Sequence, residues 1–315
     1  MSPFPRQLRV VFAGTPAFAV PALDALIEAG HEICAVYTQP DRPSGRGRKL
    51  TASAVKTRAL VRRLHIEQPS SMKSPESAER LSSLTPDAMV VVAYGQILPQ
   101  AVLDVPRLGC FNIHASLLPR WRGAAPIQHA ILAGDPRTGV SIMRMTQGLD
   151  SGPVIAQREL RIDPQMSAGE LHDALAPLGA SLMVEALEQV AGGHAAPREQ
   201  NAGDATHAPK IVRGDAHIDW NASAERIERQ VRAYDPWPGA ESSWRGGPLK
   251  IWRAQARDRA VNAPAGEILQ ADAGGIEVAC GTGVLALLAL QLPGRNRVTA
   301  ADFVHAHAMT GDRLI

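Results

Sequence analysis

Aromatic side chains are scarce in this 315-residue sequence, at 4% of all positions. The core must therefore be built mainly from Ala, Val, Leu and Ile, and hydrophobic residues at 45% are sufficient for that. Cysteine is rarer still. Its three copies, Cys34, Cys110 and Cys280, are odd in number and far apart, so we expect neither a disulfide framework nor a zinc site.

Long apolar runs are missing as well. No uninterrupted apolar stretch approaches the roughly 18 residues that a membrane-spanning helix needs. The first six residues contain no apolar signal region. We therefore expect a cytoplasmic protein, and its length allows for two domains.

The fingerprint of a dinucleotide-binding loop is also absent. Gly14-Thr15-Pro16 follows a short apolar run, but a G-x-G-x-x-G pattern centred on Gly14 would need glycine at positions 12 and 17, which are Phe and Ala. We expect no nicotinamide cofactor. No metal site is expected either, because a small C-terminal cluster has no supporting ligand spacing and is predicted to lie on the surface: Asp302, His305 and His307.

Charge is spread unevenly around a net value of +2. Between positions 41 and 66 the single acidic residue Asp41 stands against eight basic ones: Arg42, Arg46, Arg48, Lys49, Lys56, Arg58, Arg62 and Arg63. Such a cluster can contact a phosphate backbone, and a solvated helix face is the ordinary alternative. Proline and glycine disfavour a helix over 42–49, so the alternative applies better to 56–63.

The first half of the chain alternates short apolar runs with helical patterns. We predict strands over 8–13, 32–37, 88–93 and 110–114, a helix after Pro16 whose pattern runs through Leu23, Leu26 and Ile27, and a helix over 56–64. This alternation indicates a doubly wound, mostly parallel sheet that is covered on both faces. Ligands of such sheets bind beyond the carboxyl ends of the strands, where Gly14, Tyr94-Gly95 and His114 fall.

Further along, two strands over 138–145 and 154–162 are predicted to pair around a loop. A long helix over 167–190 should be kinked or split at Pro177. Residues 191–208 show no strong periodicity and are predicted to be a linker. The first domain is therefore expected over 1–190.

Residues 209–315 have a different character. An amphipathic helix is predicted over 224–234, followed by short strands with glycine-rich turns over 249–254, 266–269, 276–280 (with alternating polarity) and 284–290. Several short strands with tight turns indicate a small barrel, and an OB-like β-barrel is compatible with them. We therefore expect a smaller C-terminal domain over 209–315.

Three polar residues stand where strands of the first domain are expected to end. Asn112 and His114 are two positions apart, so both side chains leave one face of a strand. An amide beside an imidazole suits acyl transfer, and Asp150, in the sequence G-L-D-S-G over 148–152, can orient the imidazole. Each residue also has an ordinary structural explanation. Asn112 could cap the strand end, His114 could be a core histidine, and Asp150 could be a turn residue.

The surrounding residues make this pattern specific. The stretch 112–119 (N-I-H-A-S-L-L-P), continued by 120–128, resembles the folate-dependent formyltransferase family. Matching motifs occur in the order of the family at 11–16 (V-F-A-G-T-P), 38–43 (T-Q-P-D-R-P) with 45–49 (G-R-G-R-K), 91–95 (V-V-A-Y-G) and 235–238 (D-P-W-P). The resemblance covers almost the whole chain.

This resemblance implies an enzyme that moves a formyl group from 10-formyltetrahydrofolate to the α-amino group of methionine on initiator tRNA. It implies a formyltransferase fold with an OB-like tRNA-binding domain, and a monomer is expected. The implied catalytic residues are Asn112, His114 and Asp150. The implied folate-binding residues are Ser116, Leu117, Leu118 and Pro119. The implied tRNA-binding residues are Arg42, Arg46, Arg48 and Lys49.

Two other functions stay open. A sister formyltransferase acting on an amino sugar or a purine precursor would share the N-terminal motifs, but the basic loop after Pro40 and the C-terminal domain are expected for a tRNA substrate. A non-catalytic RNA-binding protein of the same fold is disfavoured because all three candidate catalytic residues are present. Neither a metal nor a nicotinamide is needed for formyl transfer, because the donor already carries the activated carbon.

Overall fold

The computed structural model describes residues 7–44, 49–272 and 274–315. They form two compact units, and neither is continuous in sequence. The first contains the residues up to Pro126, Thr138–Arg161 and His172–Ala208. The second contains Ile127–Arg137, Ile162–Leu171 and Pro209–Ile315.

Regular elements up to residue 208 follow the predicted alternation. They are β1 (Arg9–Gly14), α1 (Val20–Glu28), β2 (Glu32–Tyr37), β3 (Arg42–Ser44), β4 (Lys49–Thr51), α2 (Ala54–Val61), β5 (Ile66–Glu67), α3 (Pro75–Ser83), β6 (Ala88–Val92), α4 (Gln100–Leu103), β7 (Cys110–His114), β8 (Arg122–Gly123), α5 (Pro126–Ala133), β9 (Arg137–Arg144), β10 (Val154–Arg161), α6 (Ala168–Ala191) and β11 (His207–Ala208). The strands predicted at 32–37 and 110–114 are confirmed to the residue. The short hairpin β3–β4 and the helices α3 and α5 were not predicted.

A seven-stranded sheet in the order β10-β9-β7-β6-β1-β2-β5 lies in the first unit. Strand β1 pairs in parallel with β2 and β6, while β7 pairs in parallel with β6 and antiparallel with β9. The central strands are buried along most of their length, as expected for strands covered on both faces. The mostly parallel sheet is thus confirmed, and the carboxyl ends of β1, β6 and β7 lie side by side.

Helix α6 runs unbroken past Pro177, so the predicted split is wrong. Pro177 is exposed, and so is Asp173, whose carbonyl loses its helical partner and can be hydrated there. The helix also packs closely on the sheet, because a Cβ on Gly179 would lie 2.6 Å from Cγ2 of Ile113 in β7. This packing compensates for the one backbone hydrogen bond that the proline removes.

The segment 191–208 is more than the connector that its lack of periodicity predicts. Arg198 exchanges two backbone hydrogen bonds with Val154, each 2.8 Å long, and β11 pairs in parallel with β8. Backbone pairing of this kind needs no pattern of side chains, which is why the sequence does not reveal it. Up to Ala208 the segment belongs to the first unit.

The second unit contains an antiparallel sheet in the order β12-β13-β16-β15-β14, with β17 beside β16. Its elements after residue 208 are α7 (Ala224–Ala233), β12 (Ala240–Trp244), β13 (Gly247–Arg257), β14 (Ile268–Asp272), β15 (Gly275–Ala279), β16 (Val284–Gln291), β17 (Val298–Thr299) and α8 (Ala300–Ala306). Helix α7 is amphipathic as predicted, with Ile227 and Val231 buried. The C-terminal β domain is confirmed and is consistent with an OB-like barrel.

Strand β15 departs from its sequence pattern. Alternating polarity is typical of a strand with one solvated face, yet every residue of β15 is buried. The polar residue Glu277 is buried because its carboxylate forms ion pairs with Arg257 and Arg259. A buried charge is tolerated only when it is paired. The two arginines lie outside β15, so the polarity pattern of this strand gives no sign of them.

Candidate active site

Strand β7 presents Asn112 and His114 on one face, as the two-residue spacing predicts. His114 is 5% exposed and Asn112 is half-buried. Within the described ranges no protein group is hydrogen-bonded to the Asn112 side chain. Its amide N–H groups are therefore available to a bound molecule.

His114 lies between a carbonyl and a carboxylate. Its Nε2 is 2.8 Å from the backbone oxygen of Trp121, and its Nδ1 is 3.6 Å from Oδ2 of Asp150. A carbonyl can only accept, so Nε2 carries a proton and the ring orientation is set. A second proton on Nδ1 would make an imidazolium that faces the Asp150 charge.

A tight turn brings Asp150 to this histidine. Asp150 itself has a left-handed backbone, with φ of 47°. At Gly152 a Cβ would lie 1.9 Å from the carbonyl oxygen of Arg144, so only glycine fits there. The Asp150 carboxylate is also held directly, because the Gly123 N–H donates to its Oδ2 at 2.9 Å.

The segment that supplies this N–H is itself tightly held. Trp121 has a φ of 64°, and its N–H donates to Oγ1 of Thr206 at 2.8 Å. At Gly123, with φ of 120°, a Cβ would meet the Ala208 carbonyl oxygen at 2.6 Å. The end of the predicted linker therefore shapes the chain next to His114 and Asp150.

The stretch 116–119 leaves β7 and turns partly inward. Ser116 is fully buried, and its Oγ donates to the Arg120 carbonyl at 2.6 Å. Leu118 is also buried and packs with Met143 and Val154. Leu117 and Pro119 stay half-exposed, so only these two side chains of the predicted folate segment can present much surface to a ligand.

The other family-like motifs meet at the ends of neighbouring strands. The Thr15 hydroxyl donates to the Tyr94 carbonyl at 2.9 Å, and the Gln39 side-chain amide donates to the carbonyls of Tyr94 and Gly95 at 3.1 and 2.9 Å. These polar contacts connect the carboxyl ends of β1, β2 and β6. The motifs thus have a structural role in shaping this end of the sheet.

A cysteine on the same strand is poorly suited to nucleophilic chemistry. Cys110 is buried at the start of β7, and burial raises the pKa of its thiol to about 12. The thiolate is the reactive form of cysteine. A covalent intermediate on Cys110 is therefore disfavoured.

The predicted tRNA-binding residues are only partly described. Arg42 lies in β3 and is exposed, and Lys49 lies in β4, although its side chain lies outside the described part of the chain. Arg46 and Arg48 lie outside the described residues altogether. The flanking strands β3 and β4 pair antiparallel, with Arg42 opposite Thr51, so a helix is excluded for the residues of these two strands.

The later part of the basic segment has acidic partners. Arg58 and Arg62 lie 3.3 and 3.1 Å from the carboxylate of Asp24. Lys56 lies 2.7 Å from Asp41, and this hydrogen bond is the main reason why the pKa of the Asp41 carboxyl is below its usual value. These partners suit the helix-surface interpretation for 56–62.

The described ranges contain neither a candidate metal site nor a candidate membrane span. Outside the gaps at 1–6, 45–48 and 273, no group of three or more His, Cys, Asp or Glu side chains could hold a metal ion. In the same ranges no helix is both long and apolar enough to cross a membrane.

Several residues around the site were missed from the sequence. Ser141, Gln157, Gln200 and Thr206 bond with their side chains to the loops that surround Asn112, His114 and Asp150. All four lie 16 or more positions from the atoms they contact. A single sequence carries no pattern that connects such distant positions.

Comparison with known proteins extends these observations to the whole chain. The family model described as formyl transferase matches residues 8–187, and the model described as formyl transferase, C-terminal domain, matches residues 210–308. A methionyl-tRNA formyltransferase of Methylococcus capsulatus is 53% identical over 98% of this chain and 99% of its own length. One from Thiobacillus denitrificans is 53% identical with the same coverage.

A solved structure agrees at the level of the fold. The N-formyltransferase of Helicobacter canadensis, in complex with folinic acid and dTDP-3-aminofucose, aligns with a TM-score of 0.67 at 17% identity, over 89% of this chain and 99% of that one. At this identity the likeness shows the fold alone. The matches to the family models and to the close relatives show more: the chain belongs to the formyltransferase family, among the methionyl-tRNA formyltransferases.

Proposed function

We propose that this protein transfers a formyl group from 10-formyltetrahydrofolate to the α-amino group of methionine on initiator tRNA. The observation that carries the proposal is the juxtaposition of Asn112, His114 and Asp150 at the carboxyl end of β7, in a chain that resembles methionyl-tRNA formyltransferases over 98% of its length. The products are N-formylmethionyl-tRNA, which serves translation initiation, and tetrahydrofolate.

The amine must be neutral to attack the formyl carbon. An α-amino group has an ordinary pKa of about 7.7–8.0, so a useful fraction is free base near neutral pH. The new C–N bond gives a tetrahedral intermediate with a negatively charged oxygen. Asn112 donates to that oxygen in this mechanism, which is supported by the absence of a hydrogen bond from its side chain to any of the described residues.

His114 contributes charge to the same oxyanion. Its Nε2 is occupied by the Trp121 carbonyl, so Nδ1, on the side of Asp150, is the nitrogen left to respond to the reaction. A protonated Nδ1 stabilises the oxyanion electrostatically. The Asp150 carboxylate balances this charge and keeps the ring in place.

Proton transfer completes the reaction. The amine loses one proton as its C–N bond forms, and N10 of the folate gains one as its bond to the formyl carbon breaks. Asp150 is suited to relay this proton, because its carboxylate is held by Gly123 with 15% of the side chain exposed. Protons and charge then balance without a further reactant.

The two substrates are assigned to different parts of the chain. We assign the folate to the segment of Ser116, Leu117, Leu118 and Pro119, where half-exposed Leu117 and Pro119 can contact an aromatic ring system. We assign tRNA to Arg42, Arg46, Arg48 and Lys49 and to the C-terminal domain over 209–315. The exposure of Arg42 on a hairpin supports the first of these tRNA contacts.

A direct assay tests the proposal. Purified protein with 10-formyltetrahydrofolate should formylate methionyl initiator tRNA, measured as N-formylmethionine released by hydrolysis. A nucleotide-linked amino sugar serves as the alternative acceptor, because the protein of Helicobacter canadensis was solved with dTDP-3-aminofucose. Formylation of the sugar but not of the tRNA would overturn the proposal.

A further inference from the structure

One side chain in the segment 191–208 reaches the turn that carries Asp150. The Nε2 group of Gln200 donates to the Asp150 carbonyl at 2.9 Å and to the Gly152 carbonyl at 2.7 Å. Its Oε1 accepts from Nε and Nη2 of Arg122 at 3.0 and 2.8 Å. Gln200 and its three partner residues all lie in the first unit.

The partners of Gln200 leave only one orientation of its amide. A guanidinium can only donate and a carbonyl can only accept, so Oε1 must face Arg122 and the NH2 group must face the turn. Both N–H groups are then used. The oxygen and the nitrogen of the Gln200 amide therefore each have partners of the correct hydrogen-bonding type.

The turn needs such support. A non-glycine residue with positive φ costs about 1–3 kcal/mol and persists only when the surrounding structure over-determines it, and Asp150 has a φ of 47°. Gln200 bonds the carbonyls on either side of Ser151. It thereby holds the backbone from which the Asp150 carboxylate projects toward His114.

Gln200 also reaches the other support of that carboxylate. Arg122, which it binds, directly precedes Gly123, whose N–H donates to Oδ2 of Asp150. One side chain thus bridges the turn at 148–152 and the segment at 122–123. These are the two parts of the backbone that determine where the carboxylate lies.

We propose that Gln200 is a positioning residue for formyl transfer, which sets the distance and orientation of Asp150 relative to His114. The inference rests on the proposed function, because it assigns Gln200 a role through Asp150. It also makes the segment predicted as a linker a part of the active site.

The test compares three variants with the intact enzyme in steady-state and single-turnover assays on methionyl-tRNA. In Gln200→Ala, kcat should fall about 100-fold, the loss typical of a displacement near 1 Å, while the KM for tRNA and for folate stays at the wild-type level. Gln200→Glu keeps the size and the acceptor for Arg122 but removes both donations to the turn, so it should lose a similar factor. The adjacent Asn201→Ala is the control, since the Asn201 side chain bonds Gly203 and Asp204, which lie outside the turn that carries Asp150.

A double-mutant cycle separates positioning from general stability. If Gln200 acts through Asp150, Gln200→Ala should cost little further rate in an Asp150→Asn background. An equal loss in both backgrounds would overturn the inference, and so would wild-type kcat in Gln200→Glu. If Gln200→Ala does not fold, the kcat of Gln200→Glu by itself tests the inference. A wild-type protein that does not formylate methionyl-tRNA would instead refute the proposed function.

Discussion

Two segments that follow strands of the first sheet are held in different ways. Residues 115–124, after β7, are bonded by side chains from distant positions, namely Ser141, Gln157 and Thr206. The second segment, residues 42–51 after β2, contains the strands β3 and β4, which pair with each other. The first segment is thus bonded to distant parts of its unit, and the pairing described for the second is between its own two strands.

The difference in attachment matches a difference in exposure. In the first segment, Ser116 and Leu118 are buried. In the second, Arg42 is exposed and Leu50 is 72% exposed. A segment that orients reacting groups needs a single geometry, whereas a segment that meets a large polyanion needs accessible cations. We interpret the first as the chemical side of the site and the second as a recognition element.

The largest effect is expected at Asn112, His114 and Asp150, the candidate catalytic residues that the first segment surrounds. Asn112→Ala and His114→Ala should each lower kcat by about 10²–10³, because an oxyanion donor or its supporting charge is lost. Asp150→Asn should also be severe, since it removes the charge and keeps the shape. The measurement is formylation of methionyl-tRNA at saturating folate.

Binding of tRNA should survive these three changes, and a filter-binding or fluorescence titration with uncharged initiator tRNA serves as the control. Near wild-type turnover in His114→Ala would show that the reaction does not depend on this histidine. The first segment could then no longer be interpreted as the part of the site that orients the reacting groups.

A smaller effect is expected from loosening the first segment. The Ser141 hydroxyl donates to the Ser116 carbonyl at 2.6 Å and accepts from the Leu118 N–H at 3.0 Å. Ser141→Ala leaves both backbone groups unpaired in a buried place, so the free energy of unfolding should fall by about 1–3 kcal/mol. The KM for the folate should rise as well.

Urea denaturation measures the first effect and steady-state kinetics the second. Ser181→Ala, at an exposed position on α6, is the matched control and should change neither. If Ser141→Ala were as stable as the control and bound folate equally well, long-range polar contacts would not be what holds this segment.

Some features of the site could be predicted from the sequence, and others could not. Strand β7 and the shared face of Asn112 and His114 follow from a local apolar run and a spacing of two. The roles of Gln200 and Thr206 do not, because they depend on a segment without periodicity that pairs through its backbone. The intact helix at Pro177 was missed for a similar reason, since tertiary packing outweighed a local rule.

The second segment should affect only tRNA. Replacing Arg42 and Arg46 together by Ala should raise the KM for methionyl-tRNA and leave the KM for folate unchanged. Log affinity falls as log salt concentration rises, and each lost phosphate contact should make this negative slope less steep by roughly 0.7–0.9. Titrations at several salt concentrations measure this slope directly.

The matched control for these cations comes from the same basic segment. Arg62 is paired with Asp24 on its own unit, so Arg62→Ala should leave the salt dependence as it is. Equal slopes for the wild type and the Arg42/Arg46 variant would make the hairpin an ordinary surface. Equal losses in both variants would instead assign tRNA contact to the helix surface.

The smallest effect is expected at the amino ends of the parallel strands, opposite to the carboxyl ends that the two segments follow. His31 is buried just before β2; its Nδ1 accepts from the Leu8 N–H at 3.3 Å, and its Nε2 has no partner among the described residues. Burial lowers the pKa of His31 below its ordinary 6.5, and the nearby Glu188 carboxylate opposes that shift only in part. The folded protein therefore keeps this ring neutral at a pH where the unfolded chain binds a proton.

The free energy of unfolding should thus fall as the pH drops through 6.5 toward the lowered folded-state pKa, with a slope of at most about 1.4 kcal/mol per pH unit for this one proton. His31→Asn keeps an acceptor near the position of Nδ1 and cannot titrate, so its stability should vary less over that window. His194→Gln, at an exposed histidine, should behave as the wild type. Thermal unfolding of the three proteins between pH 5 and 7.5 makes the comparison. If His31→Asn were to lose stability with acid as steeply as the wild type, the acid sensitivity of the fold would have to come from groups other than His31.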